Sequence, residues 1–223
     1  MSLNEGNLVA AERHAAAPDA SLSALRKLKR PAHYTEESRE VFSIPLFDSK
    51  SCGSMVEYLK ALDDWSTAEV RYETDSTGFV TSVRPDVRVA KILDAACTPE
   101  LCARFDEKMN NVVKPLIKDL LGVSLYEHSG TQIIRYPSGG HYIPHQDAGS
   151  DMLYRYFTVV CYLNDDFEGG RTRFPSLAYS AVPKAGTGIL FPSNFFHCAE
   201  PVIRGEKFVI ISWINGPIPL KWI

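Results

Sequence analysis

His145 and Asp147 stand two positions apart, His197 follows in a later segment, and Lys207 comes soon after it at the head of a β-branched run. Two imidazoles and one carboxylate can grip one face of a ferrous ion and leave the opposite face free for other ligands. Side chains alternate along a strand, so His145 and Asp147 can share a face while Gln146 turns away. The same alternation puts Lys207, Val209, Ile211 and Trp213 on one row and Phe208, Ile210 and Ser212 on the other. A lysine on an otherwise apolar inward row is costly unless an anion meets it. A dicarboxylate lying across the open face of the metal would be that anion, with the lysine as a point charge.

Other clusters carry less. Asp165, Asp166 and Glu168 run directly into Gly169-Gly170 without ligand alternation and read as a solvated turn. Cys198, beside His197, should point away from the metal on an extended segment and pack as a thiol. His128 and His141 have no evident ligand partners, and the chain holds neither a phosphate-cradling glycine loop nor a GxSxG elbow.

The elements that must position these residues are short strands separated by Gly and Pro. Candidates are 131–136, 141–145, 156–163, 171–174, 179–182, 188–191, 197–202 and 207–214. That spacing predicts a mainly β fold with flanking α-helices: a double-stranded β-helix (jelly-roll) barrel over about 125–216, with N-terminal helices packed outside. Val41 to Phe47 reads as a strand, and Asp48 or Ser49 can cap a helix with Met55, Tyr58, Leu59 and Leu62 on one face. A second helix is capped by Thr98, starts at Pro99 and carries an apolar stripe from Leu101 to Leu120, with a kink expected at Pro115. Between them, 65–88 reads as strands or a mobile loop and is a candidate lid. Residues 1–38 read as a poorly ordered arm with a short helix over 21–29, and 39–223 as one domain.

Composition narrows the function classes. A formal net charge of −3 gives no electrostatic case for nucleic acid or a membrane surface. The apolar stretches are strand-sized, far short of the roughly 20 residues a membrane helix needs. Five cysteines, an odd number without CxxC spacing, argue against a disulfide framework and for a reducing cytoplasm. Glu5, Glu12, Arg13 and His14 interrupt any apolar core of a signal peptide. Oligomeric state is left open.

Three stretches carry a resemblance: Tyr136-Pro-Ser-Gly-Gly-His-Tyr142-Ile-Pro-His145-Gln-Asp147, then Tyr162 to Pro175, then His197 through Gly205-Glu-Lys207 to Trp213. With Pro183 to Gly186 they make the region from about Thr131 to Trp213 resemble the 2-oxoglutarate-dependent oxygenases, in particular the prolyl 4-hydroxylase type of catalytic domain. The resemblance implies His145, Asp147 and His197 as iron ligands and Lys207 as partner of the distal carboxylate of 2-oxoglutarate. It implies Tyr136 and Thr172 as hydrogen-bond partners of that carboxylate, Tyr142 and Arg155 on the substrate side, and Trp213 closing the inner pocket. It implies Fe(II), 2-oxoglutarate and O2, with ascorbate as a further candidate. The implied reaction hydroxylates an unactivated C–H of a prolyl residue, a free amino acid or a small amino-acid-derived natural product, releasing succinate and CO2. Two other readings remain: a zinc enzyme, since zinc also accepts two histidines and a carboxylate, and a non-catalytic barrel that binds a partner.

Overall fold

The computed structural model describes residues 33–74, 78–122, 127–149 and 152–216. The helix expected over 21–29 and most of the expected arm lie outside them. Ordered structure begins earlier than the sequence suggested. β1 (Thr35–Ser38) forms a hairpin with β2 (Val41–Pro45), so the polar residues 35–38 are an edge strand and not part of an arm. Polar composition hid it, because an exposed edge strand needs no apolar alternation.

α1 (Ser49–Lys60) starts where Asp48 accepts hydrogen bonds from the Ser51 amide and hydroxyl, each at 2.8 Å. It buries Cys52, Met55, Val56 and Leu59; Tyr58, expected on that face, is exposed and reaches the Cys97 carbonyl instead. α2 (Pro99–Lys108) runs through a π-helical turn, Met109–Val113, into α3 (Lys114–Leu121). The kink expected at Pro115 takes the form of this wide turn, which makes room for a ring that would otherwise strike the preceding carbonyl. Thr98 stands at the N-cap of α2, but its side chain makes no capping bond there.

The remaining chain is strand after strand. β3 (Ser66–Thr67), β4 (Val70–Thr74), β5 (Gly78–Ser82), β6 (Arg88–Val89) and β7 (Lys91–Leu93) precede the second helical segment. β8 (His128–Tyr136), β9 (His141–His145), β10 (Arg155–Tyr162), β11 (Glu168–Gly169), β12 (Thr172–Phe174) and β13 (Tyr179–Ala181) follow it. β14 (Thr187–Pro192), β15 (His197–Ala199), β16 (Val202–Arg204) and β17 (Lys207–Asn215) complete the described fold. The segment expected as one strand over 197–202 breaks at Pro201, which has no amide hydrogen for a ladder.

Every strand pair is antiparallel. The larger sheet has the order β1-β2-β14-β10-β17-β8-β7-β3 and the smaller β13-β12-β15-β9-β6. From β8 to β17, apart from the separate pair β11–β16, the chain passes back and forth between them, which is the expected jelly roll. Alternation divides the side chains of the larger sheet between two cores. Phe208, Ile210, Val159, Cys161 and Ile133 pack under the helices, confirming that these lie outside the barrel. Val209, Val160, Tyr162, Ile134 and Tyr136 face the other way, with Phe174 and Ala181 of the smaller sheet. β10 and β17 therefore read as nearly unbroken apolar runs, because both their faces are covered. Among the described residues no helix is long and apolar enough to cross a membrane.

Candidate active site

β9 and β15 are neighbours, and their register sets His145 directly opposite His197. That pairing brings the two imidazoles together, with ring centroids 4.3 Å apart. Each ring is held the same way: His145 Nδ1–H donates to the Ile143 carbonyl at 2.9 Å, and His197 Nδ1–H to the Phe195 carbonyl at 3.0 Å. A carbonyl can only accept, so each Nδ1 carries a proton and Nε2 is the ring nitrogen left to face the site.

Asp147 lies just past the end of β9, in a bend and not on the strand. Its amide and that of Ala148 both donate to the Ser193 carbonyl at 2.9 Å, which pins the bend to the turn after β14. Its carboxylate faces the histidines, with Oδ1 3.6 Å from His145 Nε2 and Oδ2 3.5 Å from His197 Nε2. Two ligands at right angles, each about 2.1 Å from an ion, lie about 3 Å apart. These separations thus come close to those of a shared ion, and the three ligand atoms lie within 4.8 Å of one another. Gln146 does not turn fully away; it lines the same cavity and donates to the Asn194 carbonyl.

The charge states suit a metal. Burial alone would raise the Asp147 carboxyl, but the two imidazoles and the Thr158 hydroxyl together hold it well below the usual carboxylate range. Burial pushes the His197 imidazole down to about 4, so it is the neutral, ligating form at pH 7. Thr158 Oγ1 donates to Asp147 Oδ2 at 2.8 Å and accepts from the Ser193 hydroxyl at 2.8 Å. Spacing along the sequence gave no sign of this Ser193–Thr158–Asp147 relay, because its members come from separate strands and turns.

Lys207 is 1 % exposed. Its ammonium donates to the Gly170 carbonyl at 2.8 Å and lies over the Tyr136 and Tyr162 rings, at 4.8 and 5.4 Å from their centroids. Gly170 has φ +59°, and a Cβ there would come within 2.9 Å of Phe167 and 3.3 Å of the Lys207 stem, so glycine is required for the carbonyl to approach. Among the described residues no carboxylate forms an ion pair with the ammonium, and burial lowers its pKa from 10.5 to about 7. Tyr136 pairs with Lys207 across β8 and β17. Thr172 Oγ1 lies 2.6 Å from the Tyr162 hydroxyl.

His145, Asp147, His197 and Lys207 line one cavity of about 740 Å³. Tyr136 and Thr172 line it as well, and so do Tyr142, Arg155 and Trp213. Tyr142 is stacked on the His145 ring at 3.6 Å, and the Arg155 guanidinium lies 3.8 Å over Trp213. The segment expected as strands or a lid supplies the hairpin β4–β5, of which Tyr72, Phe79 and Thr81 line the cavity. Arg88, on β6, was not singled out by the sequence. It is 8 % exposed, lines the cavity and lies 4.8 Å over the Tyr142 ring. Cys198 is buried, and all five cysteines are unpaired.

Comparison with known proteins points the same way. Residues 131–215 match the family model described as the 2OG-Fe(II) oxygenase superfamily. Over 130 residues the chain is 34 % identical to the chicken (Gallus gallus) prolyl 4-hydroxylase subunit alpha-1, covering 50 % of this chain and 25 % of that protein. The chain thus spans about a quarter of the length of that relative. A crystal structure of a Pseudomonas putida prolyl-4-hydroxylase superposes with a TM-score of 0.63 at 21 % identity, over 80 % of this chain and 94 % of that one. A Trichoplax adhaerens prolyl hydroxylase, solved in complex with a hypoxia inducible factor oxygen degradation domain peptide fragment, gives 0.61 at 20 % identity over 79 % and 83 %. At such identity the two structures speak for the shared fold.

Proposed function

We propose that this chain, whose residues 131–215 match the 2OG-Fe(II) oxygenase superfamily model, is a prolyl 4-hydroxylase-like dioxygenase that hydroxylates an unactivated C–H of an amino-acid-like substrate. Candidates are a prolyl residue, a free amino acid or a small amino-acid-derived natural product. The observation that carries the reading is the placement of three metal-competent side chains and one buried, carboxylate-free ammonium in a single cavity. A zinc hydrolase has no use for the ammonium, and a passive barrel none for the metal-competent set.

His145, Asp147 and His197 fit ferrous iron: two imidazoles whose Nδ1–H groups are held by carbonyls, and one ionised carboxylate, on one side of a roomy cavity. Iron, 2-oxoglutarate and oxygen together supply the oxidising power, with succinate and CO2 as co-products and one oxygen atom entering the substrate. The protein's own part is placement. Lys207 draws the distal carboxylate inward, where the Tyr136 and Thr172 hydroxyls can add hydrogen bonds. Tyr142, Arg155 and Trp213 form the substrate side, and the hairpin β4–β5 limits water from above. Five unpaired thiols suit a reducing compartment, and the cytoplasm is the proposed location.

The test is oxygen-dependent release of CO2 from carboxyl-labelled 2-oxoglutarate by protein loaded with Fe(II), with a mass-spectrometric screen of amino acids and proline peptides for a gain of one oxygen. Release that is indifferent to iron or to oxygen defeats the proposal. Thr158→Val gives a finer check, since it keeps shape but withdraws the hydroxyl that orients Asp147. Affinity for Fe(II) or Mn(II) should fall by about 10- to 100-fold, as for other partners of ligating groups, and a competition titration would read the change.

A further inference from the structure

Arg88 is a buried cation that the reading above leaves unused. β6 pairs with β9 so that Arg88 stands opposite Tyr142, and its guanidinium lies 4.8 Å over that ring. Tyr142 is in turn stacked on His145 at 3.6 Å. The guanidinium is therefore fixed one ring away from the metal-competent set. Its polar neighbours are neutral: the Glu69 backbone carbonyl, 3.5 Å from Nη1, and the Tyr136 phenol. Nε is buried with no hydrogen-bond partner. Glu69 also lines the cavity, yet it offers Arg88 its carbonyl and not its carboxylate. Arginine stays charged at any accessible pH, so an 8 % exposed guanidinium with no counter-ion among the described residues carries a desolvation cost that an incoming anion would relieve.

Resting on the oxygenase reading, we infer that Arg88 receives the carboxylate of the substrate, so that the enzyme acts on a small amino acid with a free α-carboxylate and not on a residue inside a peptide. Lys207 is the other buried cation of the cavity. It lies over the Tyr136 and Tyr162 rings and donates to the Gly170 carbonyl, where the reading above puts the distal carboxylate of the co-substrate. The two cations thus divide two anions between them. A planar fork suits a carboxylate bidentately, and the stack on Tyr142 fixes its plane. A residue within a peptide presents a neutral amide at that point, and the guanidinium would stay without a counter-ion.

The experiment is calorimetric titration of the anaerobic protein, loaded with Fe(II) and 2-oxoglutarate, with the common amino acids and their α-amides. At least one amino acid should bind about 30-fold or more tightly than its amide, the lower end of what a buried, hydrogen-bonded charge contributes. In Arg88→Gln that preference should vanish, with the loss falling on the amino acid and not on 2-oxoglutarate, and Arg88→Lys should keep part of it. Equal binding of acids and amides, binding of neither, a preference that survives Arg88→Gln, or a loss confined to 2-oxoglutarate overturns the assignment. The wild-type comparison needs no variant, so a misfolded Arg88→Gln cannot shield it. Oxygen-dependent CO2 release is recorded in parallel. If it is absent the oxygenase reading fails, and if it is present without an acid preference only the role of Arg88 falls.

Discussion

Asp147→Ala is expected to abolish oxygen-dependent turnover and to weaken Fe(II) binding by more than about 100-fold, beyond the cost of losing a mere partner of a ligand. The carboxylate lies between the two imidazoles, 3.6 and 3.5 Å from their Nε2 atoms, and among the described residues it is the one anion facing both. Without it, two imidazoles would have to hold a divalent ion alone, and the Thr158 hydroxyl would lose its acceptor. The fold should survive. The bend is held by the backbone, through the amides of residues 147 and 148 on the Ser193 carbonyl, and alanine keeps both bonds. Circular dichroism of the metal-free protein should therefore match wild type, with a thermal midpoint lowered by the loss of the Thr158 hydroxyl's acceptor. His145→Ala should lose turnover alike, since it removes the imidazole paired with His197 across β9 and β15. Turnover retained in Asp147→Ala would remove the carboxylate from the metal and end this reading of the site.

The sequence made the metal set readable because its chemistry is local in type and regular in spacing. His145 and Asp147 are two positions apart, and Lys207 alternates with Val209, Ile211 and Trp213 along β17, all of which line the cavity. Strand boundaries from β8 onward follow apolar runs bounded by Gly and Pro, and the structure reproduces them to within a few positions. What escaped had no local signature. β1 is polar because it lies at an edge, and Asp147 reaches the site from a bend held by a distant carbonyl. Thr158 looked like one more β-branched strand residue, although its inward hydroxyl donates to the Asp147 carboxylate. Arg88 sits on a strand of two residues, and only pairing with β9 shows it buried against Tyr142. Such contacts arise from register between strands far apart in the chain, which periodicity does not report.

Lys207→Ala is expected to raise the 2-oxoglutarate concentration needed for half-maximal turnover by about 100-fold or more, with a smaller effect at saturation. Breaking a buried charge pair typically costs 3–5 kcal/mol, although this deletion also removes the stem that fills the space. The wild-type pH dependence carries the same assignment without mutation. Burial lowers the ammonium from 10.5 to about 7 in the empty site, whereas the unfolded chain keeps the ordinary value. Between these limits the unfolded chain binds more protons than the folded one, so the metal-free protein should gain stability as the pH rises through that window. Co-substrate binding should move the opposite way. A dicarboxylate needs the ammonium, so its affinity should be greatest below about pH 7 and decline above it as the proton must be supplied from solution. Thermal midpoints recorded with and without 2-oxoglutarate from about pH 6 to pH 10 would therefore converge as the pH rises. In Lys207→Met the empty protein should lose its pH slope and become more stable near neutrality, because an ammonium held by one carbonyl gives way to an apolar chain of similar length. An unchanged pH slope in that variant, or co-substrate stabilisation that grows with pH, would place the titrating group elsewhere and leave the cavity without its anchor for the diacid.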